Sequence, residues 1–403
     1  MKTIILIMPY GSVGGMERLA LTFYNHYQLK GYRVKAIKLI KLKSDIINFN
    51  NDEYYLSDKD FSELNPIKRI LFYLLAPFKI RKIIKKEQAT DSISFGDMAN
   101  IFSALTFTKE NKISSIHALK SVELNDKNSF NTLIKFSYKK LYGAFNKVVC
   151  ISNDIKRDLI ENCGFKFPEK MEVIYNPHNA KRLVELSEEP IDNKQEIQLF
   201  FKKTILFIGR LSVQKSPWHL INAFNLLQEK GIDANLIFIG DGNSSITNHI
   251  KSLASNYGIL DSIHFLGRKN NPFKYLQRAN VLALSSHYEG TPNVIVESIA
   301  VGTPVVSSYC TDGIIELMSL NAHHVKNENL HVEAGIITPN LYKGNLGIPK
   351  TNHVLPEEQK FADALKYALQ SPELKNNLLK NRNQLLSKFD VKIVSEKYLT
   401  PNK

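Results

Sequence analysis

Apolar and polar positions along this chain follow two periods that take turns. Residues 3–8 form a short apolar run of strand type; a glycine-rich turn and an apolar-periodic helix follow, reaching Lys30 and stopping at Gly31. Val34–Ile40 reads as a second strand. The same criteria predict strands at 92–95, 112–117, 147–151 and 171–177. Helices are expected near 97–108 and 128–145, and at 154–162 behind the capping residues Ser152 and Asn153. After a polar, charge-rich run from 178 to 200 the pattern starts again. Strands are expected at 203–211, 235–242, 262–268, 281–284 and 304–307. The helices between them begin at Ser216-Pro217, end at Gly231 and Gly258, and include a short one near 272–278 and a buried one at 294–301. Helical stretches near 359–370 and 372–386 and an amphipathic segment from Phe389 to Tyr398 close the chain. Alternation of this kind predicts an α/β protein with two doubly wound, Rossmann-like parallel domains in tandem. The boundaries fall at 1–180 and 203–385, with a linker at 181–202 and a last segment at 386–403.

Length and composition agree with two domains. The chain has 403 residues, 43% hydrophobic and 23% charged, an ordinary globular balance. Cys150, Cys163 and Cys310 lack any metal or disulfide spacing, lie in or near apolar runs, and fit a reducing, cytoplasmic setting. The opening Met1–Pro9 has too short an apolar run for a secretory segment and reads as the first buried strand. Charge changes the picture more. The net charge is +14, of which residues 1–180, with 28 Lys and Arg against 18 Asp and Glu, hold +10. Such an excess suits nucleic acid, an anionic membrane surface or a phosphorylated ligand. Within it, residues 67–86 set basic side chains between apolar ones at helical spacing, with Pro77 expected to kink or divide the helix. That stretch reads either as an interfacial helix on anionic lipid or as a core helix with a solvated basic face.

Candidate chemistry gathers at strand ends. Glu289 and Glu297 flank the turn Gly290-Thr-Pro-Asn293 between a strand and a helix, where open α/β sheets bind ligands. The plainer reading is a loop glutamate and a glutamate favoured by the helix dipole. Arg210 follows a glycine at the end of the first strand of the second series, and Lys215 lies five residues on. Two cations at a sheet's carboxyl edge beside a helix N-terminus make a diphosphate site. Glu297 can accept hydrogen bonds from vicinal hydroxyls. Gly240-Asp-Gly242 ends the next strand, where side chains would have to stay clear of a bound group. In the first half, Gly11-x-x-Gly14-Gly15 is a glycine-rich turn without the dinucleotide spacing, so an NAD-linked dehydrogenase is disfavoured. The turn suits an anion or is simply tight. His117 ends a strand and is either a site residue or a satisfied structural histidine.

On these motifs the chain resembles the retaining GT-B glycosyltransferases of family 4. The resemblance rests on Gly14-Gly15-Met-Glu17, Gly209-Arg210-Leu with Lys215, Gly240-Asp-Gly242, Phe265-Leu-Gly267, and Glu289-Gly-Thr-Pro-Asn-Val-Ile-Val-Glu297 leading to Gly302-Thr-Pro-Val-Val306. It implies two domains facing a central cleft and a C-terminal helix crossing back to the first. It implies that Arg210 and Lys215 neutralise the leaving diphosphate and that Glu297 holds the ribose. Glu289, with the N–H groups of Asn293 and Val294, would contact the transferred sugar, and Gly267 and Arg268 would flank the base. His117 would face the donor sugar, and Gly14 and Gly15 would lie against the diphosphate. The implied reaction moves a hexose or N-acetylhexosamine from a nucleotide sugar, more readily UDP than GDP, with retention, and without a metal or further cofactor. The implied acceptor is a lipid-linked oligosaccharide or surface polysaccharide precursor, met at the cytoplasmic face of a membrane. A basic nucleic-acid-binding protein would not need the paired glutamates, and a non-catalytic nucleotide-sugar sensor would differ only in turnover. Where many relatives carry Gly-Phe-Gly after the first glutamate, this chain has Gly290-Thr-Pro-Asn293. The insertion at 341–358 has no counterpart in the expected pattern.

Overall fold

The structure, a computed structural model, describes residues 2–11, 15–43, 45, 47–60, 63–126, 128–321, 327–349 and 353–401. The chain divides into two compact units, one of residues 1–178 with 389–403, the other of residues 179–388.

The first unit runs β1 (Thr3–Met8), α1 (Gly15–Leu29), β2 (Arg33–Ile40), β3 (Glu53–Ser57), α2 (Pro66–Lys86), β4 (Asp91–Phe95), α3 (Asp97–Ala104), β5 (Asn111–Ile116), α4 (Lys120–Glu123), α5 (Ser129–Lys140), β6 (Lys147–Cys150), α6 (Asn153–Glu161) and β7 (Met171–Val173). The second runs α7 (Ala180–Ser187), α8 (Lys194–Gln198), β8 (Lys203–Ile208), α9 (Pro217–Glu229), β9 (Ala234–Ile239), α10 (Ser244–Asn256), β10 (Ile263–Phe265), α11 (Phe273–Leu276), β11 (Val281–Leu284), α12 (Asn293–Val301), β12 (Val305–Ser308), α13 (Asp312–Met318), β13 (Leu330–Val332), β14 (Gly335–Thr338), α14 (Pro356–Gln370) and α15 (Glu373–Ser387). The last helix, α16 (Val391–Leu399), belongs to the first unit.

Each unit is one seven-stranded sheet. The orders are β3-β2-β1-β4-β5-β6-β7 and β10-β9-β8-β11-β12-β14-β13. The order therefore reverses between β1 and β4 in one sheet and between β8 and β11 in the other, and such switch points open a ligand crevice at the strands' carboxyl ends. Helices cover both faces, which is why strands such as β1, β9 and β11 are buried along their whole length rather than at alternate residues. In β1 all six residues are buried. Ile4, Leu6 and Met8 pack toward α1 and α16, while Ile5 and Ile7 pack toward α2, α3, α5 and α6.

The C-terminal segment is bound into the first unit by aromatic packing and buried hydrogen bonds. Phe23 and Tyr398 lie with ring centroids 4.6 Å apart. The Tyr27 hydroxyl donates to the Ser395 carbonyl at 2.9 Å, and the Tyr398 hydroxyl meets Ser115 Oγ at 2.9 Å. The His178 N–H donates to the Phe389 carbonyl at 2.7 Å.

Several elements differ from the sequence reading. Helix α2 is not divided: it continues through Pro77 to Lys86. Proline removes one helical hydrogen bond, but Ala76, Pro77, Ile80 and Ile84 are buried together and hold the helix against the sheet. The run read as a linker, 181–202, contains α7 and α8. Its polar groups are engaged by the segment around α11: Lys269 pairs with Glu196 at 2.6 Å, the Tyr275 hydroxyl donates to Glu196 at 2.6 Å, and Asn271 donates to the Leu186 carbonyl at 2.7 Å. The second sheet is not wholly parallel, since β13 joins β14 antiparallel through the two-residue turn Glu333-Ala334. A turn that short permits only an antiparallel partner. Strands β3, β13 and β14 were not foreseen. Each is short, and their amphipathic signal is correspondingly weak.

Tyr398→Ala should destabilise the first unit by about 3–5 kcal/mol, as large-to-small changes of buried aromatics do. Urea unfolding of the full chain, followed by the fluorescence of a probe on the first unit, checks this.

Candidate functional site

The second unit places Arg210, Lys215 and Glu289 around one switch point, while Gly240 follows β9 and Gly267 and Arg268 follow the edge strand β10. Gly209 and Arg210 follow β8, and the loop to α9 carries Lys215. Across the switch, β11 leads through Ser285-Ser-His-Tyr288 to Glu289 and then to α12. Lys215 Nζ lies 2.5 Å from Glu289 Oε1, and Ser286 Oγ donates to the same oxygen at 2.8 Å. Glu289 is buried, and the side chain of Lys215 is only 16% exposed. Arg210, by contrast, is exposed and makes no side-chain ion pair or hydrogen bond with the described residues. A paired cation and an unpaired one thus stand at one sheet edge. Burial first, and the Glu289 carboxylate second, push the Cys310 thiol well above its ordinary range, so it remains neutral beside the pair.

The two loops are tied together by their own backbone and hydroxyl groups. Ser285 Oγ donates to the carbonyls of Lys215 and Ser216, each at 3.1 Å. The His287 N–H donates to the Gln214 carbonyl at 2.8 Å, and Gln214 Nε2 returns a bond to the Tyr288 carbonyl at 3.2 Å. Ser216 is the N-cap of α9, with Pro217 opening the helix as the Ser-Pro pair suggested, but its side chain makes no capping bond. Its backbone is left-handed, with φ 43°, and its hydroxyl donates to the Val213 carbonyl at 2.6 Å. A non-glycine residue held there stores about 1–3 kcal/mol of strain, which the surrounding bonds must maintain.

Glycines 240 and 242 are hemmed in by neighbouring backbone. A Cβ on Gly240 would lie 2.0 Å from the Gly209 carbonyl oxygen, and one on Gly242 would lie 2.1 Å from that of Leu211. They stay bare for the neighbouring backbone. The Gly209 N–H donates to the Ile239 carbonyl at 3.0 Å and the Leu211 N–H to that of Asp241 at 2.8 Å, which fixes the residue between them, Arg210. Gly240 therefore positions Arg210. Gly267 accepts the Gly240 N–H at 2.9 Å, and Arg268 forms an exposed pair with Asp241 at 2.7 Å.

Helix α12 begins at Asn293, so the N–H groups of Asn293 and Val294 belong to its first turn. Glu297 is one helical turn in and half-buried. His219 links His287 to a buried Glu358, three residues that sequence reasoning did not single out. His287 stood inside the motif unremarked, and Glu358 ends the unexplained 341–358 insertion.

In the first unit, Gly15 opens α1 after β1, and His117 directly follows β5. Gly14 lies outside the described residues. His117 packs against Phe95, with ring centroids 6.2 Å apart, and its Nε2 is buried without a hydrogen-bond partner. Burial, with the nearby Lys120 ammonium adding, pushes its imidazole down to about 3. Lys120 is itself held by Asp97 at 2.8 Å and Glu123 at 2.6 Å. Among the described residues, no group of three or more His, Cys, Asp and Glu side chains is placed to hold a metal ion.

Known proteins share this architecture. The family model described as "Glycosyltransferase Family 4" matches residues 13–182, and "Glycosyl transferases group 1" matches residues 190–334. An uncharacterised glycosyltransferase of Methanocaldococcus jannaschii is 27% identical over 82% of this chain and 84% of its own length. Campylobacter jejuni N-acetylgalactosamine-N,N'-diacetylbacillosaminyl-diphospho-undecaprenol 4-alpha-N-acetylgalactosaminyltransferase is 28% identical over 91% of this chain and 98% of its own. Anabaena HepE, solved in complex with UDP and glucose, superposes with a TM-score of 0.72 at 16% identity, covering 98% of each chain.

The buried histidines set a pH response. His117 and His287 are both pushed down to about 3, His287 by burial and by His219. The unfolded chain binds their protons near the ordinary value of 6.5 and the folded chain does not. Stability is therefore full above about 6.5 and declines as pH falls toward 3. The thermal midpoint should drop between pH 7 and pH 5, and His117→Gln should flatten that slope; a midpoint constant across this range would contradict the assignment.

Proposed function

The chain belongs to the GT-B glycosyltransferases of the family 4 type, and from that premise we propose that it moves a hexose or N-acetylhexosamine from a UDP-sugar to a lipid-linked or surface-polysaccharide precursor, with retention and without a metal. The observation that carries the donor half of this reading is the Lys215–Glu289 pair beside the unpaired Arg210 at the β8–β11 switch point.

Glycosyl transfer builds positive charge on the sugar ring and negative charge on the departing diphosphate. Arg210 and Lys215 supply fixed cations where that negative charge grows, and the α12 N-terminus adds its dipole. Such groups accelerate the reaction to the extent that they bind the transition state better than the ground state. Glu289, already ion-paired, is assigned the contact to the transferred sugar, and Glu297 the hydrogen bonds from the ribose hydroxyls. Gly267 and Arg268 are assigned to the base. In the first unit, the unpartnered Nε2 of His117 is assigned a bond to a sugar hydroxyl, and the turn at Gly15 an anionic group. No cofactor beyond the donor is invoked.

For the acceptor half, two observations give support. The Campylobacter relative's name places its acceptor on diphospho-undecaprenol. Helix α2 carries seven basic residues and no acidic one. It also exposes Ile67, Ile70, Leu71, Leu74 and Phe78 at helical spacing, each more than half exposed. An apolar stripe flanked by Lys and Arg suits an anionic bilayer surface. No helix among the described residues is long and apolar enough to cross a membrane, and we assign the protein a peripheral place on the cytoplasmic side.

A thermal-shift panel of UDP, GDP and their sugars tests the donor. At 100 times its dissociation constant the right nucleotide should stabilise the protein by about 2.7 kcal/mol, and no response to any of them would overturn the reading. In turnover assays EDTA should leave the rate unchanged. Arg210→Ala should lower turnover by about 100-fold, as loss of a transition-state donor does, with a smaller change in donor KM. Replacing Ile70, Leu74 and Phe78 by Ser should abolish sedimentation with vesicles containing anionic lipid at low salt.

A further inference from the structure

Glu358, His219 and His287 form a continuous chain. His219 Nδ1 lies 2.6 Å from Glu358 Oε1, and His219 Nε2 lies 2.8 Å from His287 Nε2. All three side chains are buried, Glu358 to 1% exposure. The carboxylate is fully used: its Oε1 also accepts from Asn222 Nδ2 at 2.8 Å, and its Oε2 accepts the Leu355 N–H at 2.7 Å. A bond of this kind fixes the tautomer of an imidazole. With its Nδ1–H given to Glu358, His219 in its singly protonated form accepts at Nε2, and His287 donates its Nε2–H. The remaining His287 nitrogen, Nδ1, is buried without a partner. As a bare acceptor it is a less costly orphan than an N–H would be.

The chain has consequences at the site. His287 is two residues before Glu289, and its backbone N–H holds the loop that carries Lys215 through Gln214. We propose that Glu358, His219 and His287 are a positioning relay that keeps the Glu289 turn and the Lys215 loop in register for glycosyl transfer. The proposal rests on the donor-site reading above. It also gives the 341–358 insertion a role: the insertion ends in the carboxylate that orients the relay, and its Tyr342 packs on the His287 ring at 5.3 Å.

The relay is tested with His287→Phe, which keeps a ring against Tyr342 but removes the donor, and His287→Gln, whose amide nitrogen can donate near the same place. The expected result is a turnover about 100-fold lower for His287→Phe, the scale of a small misplacement of reacting groups, with donor KM changing far less. His287→Gln should recover most of the rate. Hydrogen–deuterium exchange of peptides covering 211–216 and 285–290 should rise in His287→Phe and stay near the unchanged protein in His287→Gln. Should His287→Phe fail to fold, Glu358→Gln serves instead. One side of its amide must face a donor it cannot accept, so exchange in the same two peptides should rise. Unchanged turnover and exchange in His287→Phe would overturn the relay. Equal losses in the Phe and Gln variants would also overturn it, since packing alone would then explain the site. If the unchanged protein turns over no nucleotide sugar, the functional reading fails, while the exchange measurement still decides the relay.

Discussion

The ion pair between Lys215 and Glu289 is the constraint around which the second unit is arranged. Bringing a carboxylate and an ammonium to a mostly buried sheet edge is unfavourable unless both are well bonded. Ser286 supplies the second bond to the carboxylate, and the serine and backbone bonds between the two loops hold the partners in place. The left-handed Ser216 is tolerated for the same reason. A charge pair so held, beside an Arg210 that has no side-chain partner among the described residues, suits the proposed exchange of one anionic partner for another in group transfer from a diphosphate.

The two units use one plan for different ends. In each, the sheet order reverses between two central strands, and the loops at that reversal carry the polar side chains. In the second unit those loops gather cations and a glutamate. In the first they present a glycine turn, and one strand further along a histidine kept neutral by burial. Helix α16 completes the first unit's core, with Tyr398 set among Phe23 and Ser115. An exposed apolar stripe on α2 remains outside that core.

Much of this was legible in the sequence because its signals are local. The strand-to-helix turns at Gly209-Arg210 and Glu289 announce themselves within a dozen residues, and so do the α/β alternation and the C-terminal helix. Other features depend on approaches between distant residues. At Gly240 and Gly242 a side chain would meet the backbone of Gly209 and Leu211, which follow the neighbouring strand β8. His219 and His287 are 68 residues apart, and His219 and Glu358 are 139 apart. Neither separation leaves a periodic trace. The charge between 181 and 202 suggested a linker because charge alone does not reveal that Glu196 has Lys269 and Tyr275 waiting for it. Pro77 failed to break α2 because tertiary burial outweighed a lost hydrogen bond.

The most direct measurement is the calorimetric affinity for UDP of the unchanged protein, Lys215→Met and Glu289→Gln. If Lys215 passes from the glutamate to the diphosphate, Lys215→Met should weaken binding by about 10–100-fold, the scale of one hydrogen bond to a charged group. Glu289→Gln, which releases the lysine, should bind UDP at least as tightly as the unchanged protein. Unaltered affinity in Lys215→Met would contradict the account.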